Sequence, residues 1–141
     1  MEKINSKEAF FTPDYKNYQW ENRVVLITED EEVNFFYLKT IFKKTEARII
    51  RAKNGKEAVD IIRENGGDID LVLMDLNMPV MDGYEAMRII KSQHPEIPII
   101  AQTAYTLTED RNKCMQAGFN DYISKPINRV ALFRLVNANL S

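Results

Sequence analysis

Three carboxylates stand at the ends of two apolar stretches of the chain. Glu29 and Asp30 follow the run VVLIT, and Asp75 follows the run LVLM. Carboxylates held close together repel one another, and a hard divalent cation removes that repulsion. A small set of oxygen ligands completed by water is typical of Mg²⁺, and the spacing of a calcium-binding loop is absent from the sequence. The three residues therefore predict a magnesium site.

Asp75 also has the position expected of a carboxylate nucleophile that forms an acyl phosphate. Thr103 and Lys125 follow two further apolar runs, and they offer a hydroxyl donor and a cation to phosphoryl oxygens. Phosphoryl transfer needs little more than such positioning and charge neutralisation. Each residue alone is weak evidence. Their joint occurrence at the ends of different strands predicts a phosphoryl-transfer site.

The elements that would position these residues alternate between strands and helices. Short apolar runs predict strands, and apolar residues at helical spacing between them predict helices. Such alternation is typical of an α/β fold with a parallel sheet covered on both faces, in which ligands bind at the carboxyl ends of the strands. The predicted strands are 24–28, 47–52, 71–74, 99–101 and 122–124.

Helix boundaries are predicted from capping residues. Asn54, Asp82 and Asn128 have the side chains favoured at helix N-termini, and Thr106 forms a possible capping box with Glu109. Helices are predicted from 32 to 44, from 54 to about 65, from 82 to about 92, from 106 to Gly118 and after Asn128.

Composition bounds the protein further. The chain has 141 residues, 45% of them hydrophobic and 28% charged, with a net charge of −2, which fits one globular domain and no general nucleic-acid binder. The single cysteine, Cys114, excludes an intramolecular disulfide framework, and the single histidine, His94, excludes a multi-histidine metal site. The sequence has no secretory signal and no membrane-length apolar run, so we expect no direct membrane contact and a cytoplasmic location.

The first 22 residues differ from the rest of the chain. They are polar, interrupted by Pro13, and carry five aromatic residues that include Trp20. We interpret residues 1–22 as a linker or N-terminal arm whose aromatic side chains pack on this domain or on a neighbour. Residues 23–141 then form the functional domain.

Four motifs now define a resemblance. They are Glu29-Asp30, LMDLNMPVMDG at 73–83, Thr103-Ala104 and DYISKP at 121–126. In this order they resemble the receiver domain of two-component response regulators, over roughly residues 23–138. The second motif is highly specific. The resemblance implies the flavodoxin-like doubly wound sheet, with five parallel strands in the order 2-1-3-4-5 and five helices.

The resemblance implies roles for the acidic residues. Asp75 would accept a phosphoryl group from a phosphohistidine. The carboxylates of Asp30 and Asp75 and the main-chain carbonyl of Asn77 would bind Mg²⁺, with Glu29 acting on the metal through water. Glu29 is one methylene longer than the commoner aspartate.

It also implies a switch. Thr103 would move toward the phosphoryl group while the ring of Tyr122 turns inward behind it. Lys125 would contact the phosphoryl group, and the Lys125–Pro126 peptide bond would be cis. Tyr105, two residues after Thr103, is bulky enough to shield an acyl phosphate from water.

Several details resemble receivers of hybrid sensor histidine kinases: Glu29-Asp30, Val33-Asn34, NGKEA, MPVMDGYEA and the lead-in that contains Trp20. We therefore favour a receiver from a hybrid kinase, whose parent chain could be membrane-anchored, over a stand-alone single-domain regulator. The expected partner is a histidine kinase or a histidine phosphotransfer domain, and phosphorylation could drive dimerisation. Consecutive aromatic residues at 35–37 cannot all face the core, which makes an exposed one a candidate docking point.

Two other classes of function compete with this interpretation. Phosphohydrolases of the haloacid-dehalogenase type use a similar nucleophile but need a second aspartate two residues later, where this chain has Asn77. We therefore expect no enzyme beyond self-phosphorylation and autodephosphorylation at Asp75. The alternative is a degenerate receiver that acts as a phosphorylation-independent binding module, against which the intact Asp75, Thr103 and Lys125 argue.

Overall fold

A single parallel sheet organises the computed structural model, which describes residues 18–104 and 107–140. The strands lie in the order β2-β1-β3-β4-β5, so the predicted α/β fold and strand order are confirmed. Val24–Thr28 pairs with Arg48–Ala52 on one side and with Leu71–Asp75, the central strand, on the other. The strands are β1 (Val24–Thr28), β2 (Arg48–Ala52), β3 (Leu71–Asp75), β4 (Ile99–Thr103) and β5 (Asp121–Ser124).

Five helices cover the two faces of the sheet. Their buried side chains place α1 and α5 on one face and α2, α3 and α4 on the other. Such coverage follows from strands that are apolar on both faces. The helices are α1 (Glu32–Phe42), α2 (Gly55–Asn65), α3 (Gly83–Gln93), α4 (Thr108–Ala117) and α5 (Arg129–Leu140).

Three strands are longer than the apolar runs that predicted them, and β5 begins one residue early, at Asp121. β3 includes Asp75 and β4 includes Thr103, so both residues are the last of their strands rather than the first of a loop. Their backbones are still held in the sheet, because Asp75 pairs with Gln102 and Thr103 pairs with Ser124. The two side chains therefore stand on rigid backbone.

Most of the predicted helix starts are confirmed. The side chains of Asn54, Asp82 and Asn128 accept hydrogen bonds from main-chain N–H groups three residues later, at 2.9, 2.9 and 3.0 Å. The predicted capping box at Thr106 and Glu109 is not confirmed. Thr106 lies outside the described residues. Helix α4 begins at Thr108, because the carbonyl of Leu107 accepts the first helical hydrogen bonds, from the N–H groups of Asp110 and Arg111.

The end of the predicted arm packs on the domain. Trp20 is only 6% exposed, and its ring lies 5.3 Å from the ring of Phe133 on α5 and 6.0 Å from that of Phe42 on α1. Tyr18 stacks on Trp20 at 4.9 Å. We call these four residues the aromatic layer: Tyr18, Trp20, Phe42 and Phe133. The segment proposed as a linker thus contributes core side chains from residue 18 onward.

Among the helices of residues 18–104 and 107–140, none has the length and apolar character that crossing a membrane requires.

Candidate functional site

The acidic residues predicted from the sequence come together at the carboxyl end of the sheet. Glu29 and Asp30 follow β1, and Asp75 ends the neighbouring strand β3. One carboxylate oxygen from each lies within 4.8 Å of the others. Glu29 is wholly buried and Asp75 is 3% exposed, whereas Asp30 is exposed to solvent. Parallel pairing of adjacent strands brings these distant parts of the sequence together.

Lys125 completes the group from the end of β5. Its Nζ lies 3.1 Å from Asp75 Oδ2 and 3.3 Å from Glu29 Oε1, so one cation pairs with two buried carboxylates. The Lys125–Pro126 peptide bond is cis, the geometry that the resemblance implies. The Lys125 main-chain N–H donates to the carbonyl of Thr103 at 2.7 Å, which fixes the turn after β5. We call Glu29, Asp30, Asp75 and Lys125 the strand-end cluster.

Charges in the strand-end cluster perturb one another. Burial, together with the charge of Glu29, raises the pKa of Asp75 to about 6 against the opposing effects of the Asn77 N–H and Lys125. Burial lowers the pKa of Lys125, but the charges of Asp75 and Glu29 outweigh that effect and raise it overall. Lys125 therefore stays a cation at neutral pH, while Asp75 gives up its proton less readily than an exposed aspartate.

A cleft of about 360 Å³ opens over these groups and is lined by Asp30, Glu31, Asp75, Asn77, Ala104 and Lys125. The N–H of Asn77 donates to Asp75 Oδ1 at 3.1 Å, which places Asn77 at the rim. The acidic side of the cleft offers only oxygen ligands, and hard divalent cations prefer oxygen. This donor set fits a magnesium ion.

The two switch residues predicted from the resemblance lie on adjacent strands. Thr103 is wholly buried at the end of β4, one residue beyond the partner of Asp75. Tyr122 pairs with Ala101 two residues before that end, and its half-buried ring packs on the face of α2, α3 and α4. Thr103 is thus beside the cluster, and Tyr122 is set back from it. Tyr105 lies outside the described residues, so its shielding role stays a prediction.

Arg51 is a site residue that the sequence reasoning missed. From β2, its Nε and Nη2 donate to the main-chain carbonyl of Glu29 at 3.2 and 3.0 Å, and its Nη1 pairs with the Glu32 carboxylate at 2.9 Å. The guanidinium lies 4.5 Å from the centre of the Phe35 ring. Arg51 thereby fixes the loop that presents Glu29 and Asp30. No sequence signal could have found it, because its acceptor is a main-chain atom 22 residues away.

The first helix exposes apolar residues to solvent. Val33 is 84% exposed and Phe36 is 71% exposed, while Tyr37 is 40% exposed and its hydroxyl donates to the carbonyl of Ile127. Phe35 packs against the core instead. The prediction that the aromatic run leaves a residue outside the core is confirmed for Phe36.

With the α/β fold and an acidic strand-end site described, the class of protein follows. The response regulator receiver domain family matches residues 25–137, and the chain belongs to that family. A hybrid signal transduction histidine kinase of Dictyostelium discoideum is 36% identical over 123 residues. That match covers 82% of this chain but only 7% of the kinase, so the chain corresponds to a small part of such proteins.

Solved structures agree. The receiver domain of a sensor histidine kinase from Pseudomonas aeruginosa, solved with a magnesium ion in its active-site cleft, is 36% identical, with a TM-score of 0.77. The match covers 84% of this chain and 98% of that one. The receiver domain of a Saccharomyces cerevisiae response regulator, solved with a histidine phosphotransfer protein, is 34% identical, with a TM-score of 0.74 over 84% of this chain and 88% of that one.

Proposed function

We propose that this receiver domain accepts a phosphoryl group on Asp75 from a phosphohistidine of a two-component phosphorelay. The observation that carries the proposal is the placement of the Asp75 carboxylate. It lies in the acidic cleft, 3.1 Å from the Lys125 ammonium and within 4.8 Å of carboxylate oxygens of Glu29 and Asp30. A nucleophile, a cation and metal ligands at one point are what phosphoryl transfer requires.

In the proposed step, an Asp75 oxygen forms a bond to phosphorus as the phosphorus–nitrogen bond to the imidazole breaks. The electron pair of that bond goes to the imidazole nitrogen. The aspartyl phosphate that results keeps its charged oxygens beside Lys125, which can pair with them as it now pairs with Asp75 Oδ2. The domain acts as a phosphoacceptor and not as an enzyme that turns over a substrate.

We propose Mg²⁺ as the cofactor of this step. Asp30 and Asp75 would hold it through their carboxylates and Asn77 through its main-chain carbonyl, with Glu29 acting through water. The bound ion would neutralise the carboxylates and the phosphoryl oxygens together. Support comes from the three clustered carboxylates and from the cleft that Asn77 lines.

Thr103 and Tyr122 are proposed as the switch pair. The hydroxyl of Thr103 would bind a phosphoryl oxygen, and the Tyr122 ring would occupy the space that opens behind it. The half-buried position of Tyr122 supports this role, because the ring has both a packed and a solvent-facing side. Such a two-position side chain is a bistable element that a new charge can bias.

A histidine kinase or a histidine phosphotransfer protein is the proposed partner, in the cytoplasm and without nucleic acid. The exposed Val33 and Phe36 of α1 offer an apolar docking surface, and Val33 lines a groove that shares Glu31 with the cleft. The yeast receiver that this chain resembles was solved with a histidine phosphotransfer protein. We further propose that the chain is part of a hybrid sensor histidine kinase, and that phosphorylation promotes its dimerisation.

The test is the intact mass of the protein after incubation with acetyl phosphate, with and without Mg²⁺. We expect one phosphoryl adduct that needs Mg²⁺ and is lost in Asp75→Asn. The matched control is Asp60→Asn, which removes an exposed carboxylate on α2 and should leave the adduct unchanged. An adduct that persists in Asp75→Asn would move the phosphoacceptor elsewhere. No adduct in any protein, with Mg²⁺ binding measured separately, would favour the binding-module alternative.

A further inference from the structure

Asn34 contacts the carboxylate of Glu29 from the first turn of α1. Its Nδ2 donates a hydrogen bond to Glu29 Oε1. A carboxylate can only accept hydrogen bonds, so the amide nitrogen of Asn34 must face it and the amide oxygen must face away. The orientation of this side chain is therefore dictated by the buried charge of Glu29.

Gln102 extends the contact into β4. Its Oε1 lies 3.5 Å from Asn34 Nδ2, and the residue is wholly buried. Turning the Gln102 amide over would direct its Nε2 at the Asn34 donor, so the oxygen must face Asn34. Gln102 Nε2 then has no hydrogen-bond partner within the described residues. A buried donor without a partner lowers the stability of the folded state, so this orientation of Gln102 is retained at a cost in stability.

Glu29 has a particular need of such support. Its side chain has one more rotatable bond than an aspartate, and each free rotor must be fixed to hold the carboxylate in one place. Its Oε2 accepts from the Glu31 N–H at 3.1 Å. Its Oε1 is shared between Asn34 and Lys125, and Lys125 also pairs with Asp75. Of these two partners of Oε1, Asn34 is the one that the hydrogen bonds and ion pairs do not also join to Asp75.

We propose that Asn34 is a positioning residue that orients the longer Glu29 carboxylate toward the cation site, with Gln102 fixing the orientation of Asn34. This inference rests on the proposed magnesium-dependent function. It implies that the role of Asn34 depends on the presence of glutamate, rather than aspartate, at position 29. Removal of the asparagine then weakens Mg²⁺ binding only where the glutamate is present.

The test is a double-mutant cycle on Mg²⁺ affinity. Each dissociation constant is measured by ¹H–¹⁵N NMR titration, which also reports whether each variant is folded. Asn34→Ala should raise the Mg²⁺ dissociation constant about tenfold, at the lower end of the effect of removing a residue that orients a metal ligand. In the Glu29→Asp background, whose shorter carboxylate lies beyond the reach of Asn34, the same substitution should change the constant less than about twofold.

The matched control is Thr40→Ala, an exposed position on the same helix whose hydroxyl donates to the carbonyl of Phe36. It should leave the constant unchanged. A folded Asn34→Ala with wild-type Mg²⁺ affinity, or the same loss in both backgrounds, would overturn the inference alone. A wild-type protein that binds no Mg²⁺ would overturn the proposed metal site together with the inference. Asp30→Asn should abolish the Mg²⁺-induced changes in chemical shift, which would show that the ion binds in the cleft.

Discussion

The aromatic layer and the strand-end cluster are built from opposite kinds of side chain, although each contains buried residues. In the aromatic layer, the rings of Phe42 and Phe133 lie 5.1 Å apart, and Trp20 packs against both. In the strand-end cluster, Glu29 and Asp75 are equally buried but carry like charges that share Lys125 as a partner. The aromatic layer is stabilised by its contacts, whereas the strand-end cluster contains buried charge and like-charge repulsion.

This difference separates stability from function in the molecule. Buried aromatic rings contribute through the area they remove from water and through their edge and offset contacts. Buried carboxylates lose hydration that one lysine does not fully replace, and the raised pKa of Asp75 records that loss. We therefore expect substitutions in the aromatic layer to destabilise the protein and neutralisation of the strand-end cluster to stabilise it.

The largest effect is expected from Trp20→Ala. Removal of a packed tryptophan typically lowers the free energy of unfolding by about 3–5 kcal/mol through lost burial and the cavity that remains. Urea unfolding measures the change. Phe36→Ala is the control, because that ring is 71% exposed and should contribute less than about 0.5 kcal/mol. Equal losses in the two variants would place Trp20 outside the stabilising core.

The opposite sign is expected from Asp75→Asn in metal-free protein. The folded-state pKa of about 6 lies above the ordinary value of 3.8, so the folded state binds the proton more tightly than the unfolded state. The contribution of Asp75 to the stability of the wild type should therefore fall as the pH rises from about 4 to 6, by up to about 3 kcal/mol. Asp75→Asn cannot titrate and should be more stable than wild type by that amount at pH 8.

The measurement is urea unfolding in EDTA at pH 4 and at pH 8. The advantage of Asp75→Asn should be present at pH 8 and absent at pH 4, because both proteins are then neutral at this position. Asp60→Asn, at an exposed carboxylate, should shift stability by less than about 0.5 kcal/mol at either pH. An advantage independent of pH would show that charge burial at Asp75 is not its cause.

A smaller effect is expected from Arg51→Gln, which tests the support of the loop that carries Glu29 and Asp30. The substitution removes the paired donors to the Glu29 carbonyl and should lower the free energy of unfolding by about 1.5–3 kcal/mol, the range for hydrogen bonds to charged groups. Because the lower end is most relevant to a site near the surface, we expect about 2 kcal/mol. Arg63→Gln breaks only an exposed ion pair with Asp60 and should cost less than about 1 kcal/mol.

Local patterns in the sequence were sufficient for the α/β class and for the members of the strand-end cluster, whereas the strand order was implied by the resemblance to receiver domains. The apolar runs located the strands, and side chains at the carboxyl ends of parallel strands lie at the same edge of the sheet. Asp75 and Lys125 could therefore be assigned to one site from the sequence, and the structure shows them as an ion pair. The ends of β3 and β4 were placed too early, because polar Asp75 and Thr103 continue the main-chain pairing. Hydrogen bonding of the backbone, unlike burial, leaves no hydrophobic signature.

Other parts of the site were out of reach of such patterns. Arg51 acts on a main-chain carbonyl, and Asn34 acts on a carboxylate across a loop. Both contacts depend on where side chains point in three dimensions. Trp20 was expected to pack on this domain or on a neighbour, but the sequence could not identify its partner, the ring of Phe133 on α5. Tertiary contacts decided the role of each of these residues.

The smallest effect is expected in the loop that follows Asp75. Val80 has a φ of 72°, in the left-handed region that β-branched residues rarely adopt, and its side chain is 78% exposed. Val80→Gly should therefore raise the free energy of unfolding by about 0.5–1 kcal/mol, since relief of backbone strain exceeds the added entropy of the unfolded chain. Val33→Gly, at an 84% exposed position in α1, should lower it by about 0.5–1 kcal/mol. Both changes are measured by urea unfolding. Changes of opposite sign in the free energy of unfolding would show that the loop after Asp75 is strained and that α1 is not. A lower free energy of unfolding in both variants would contradict this.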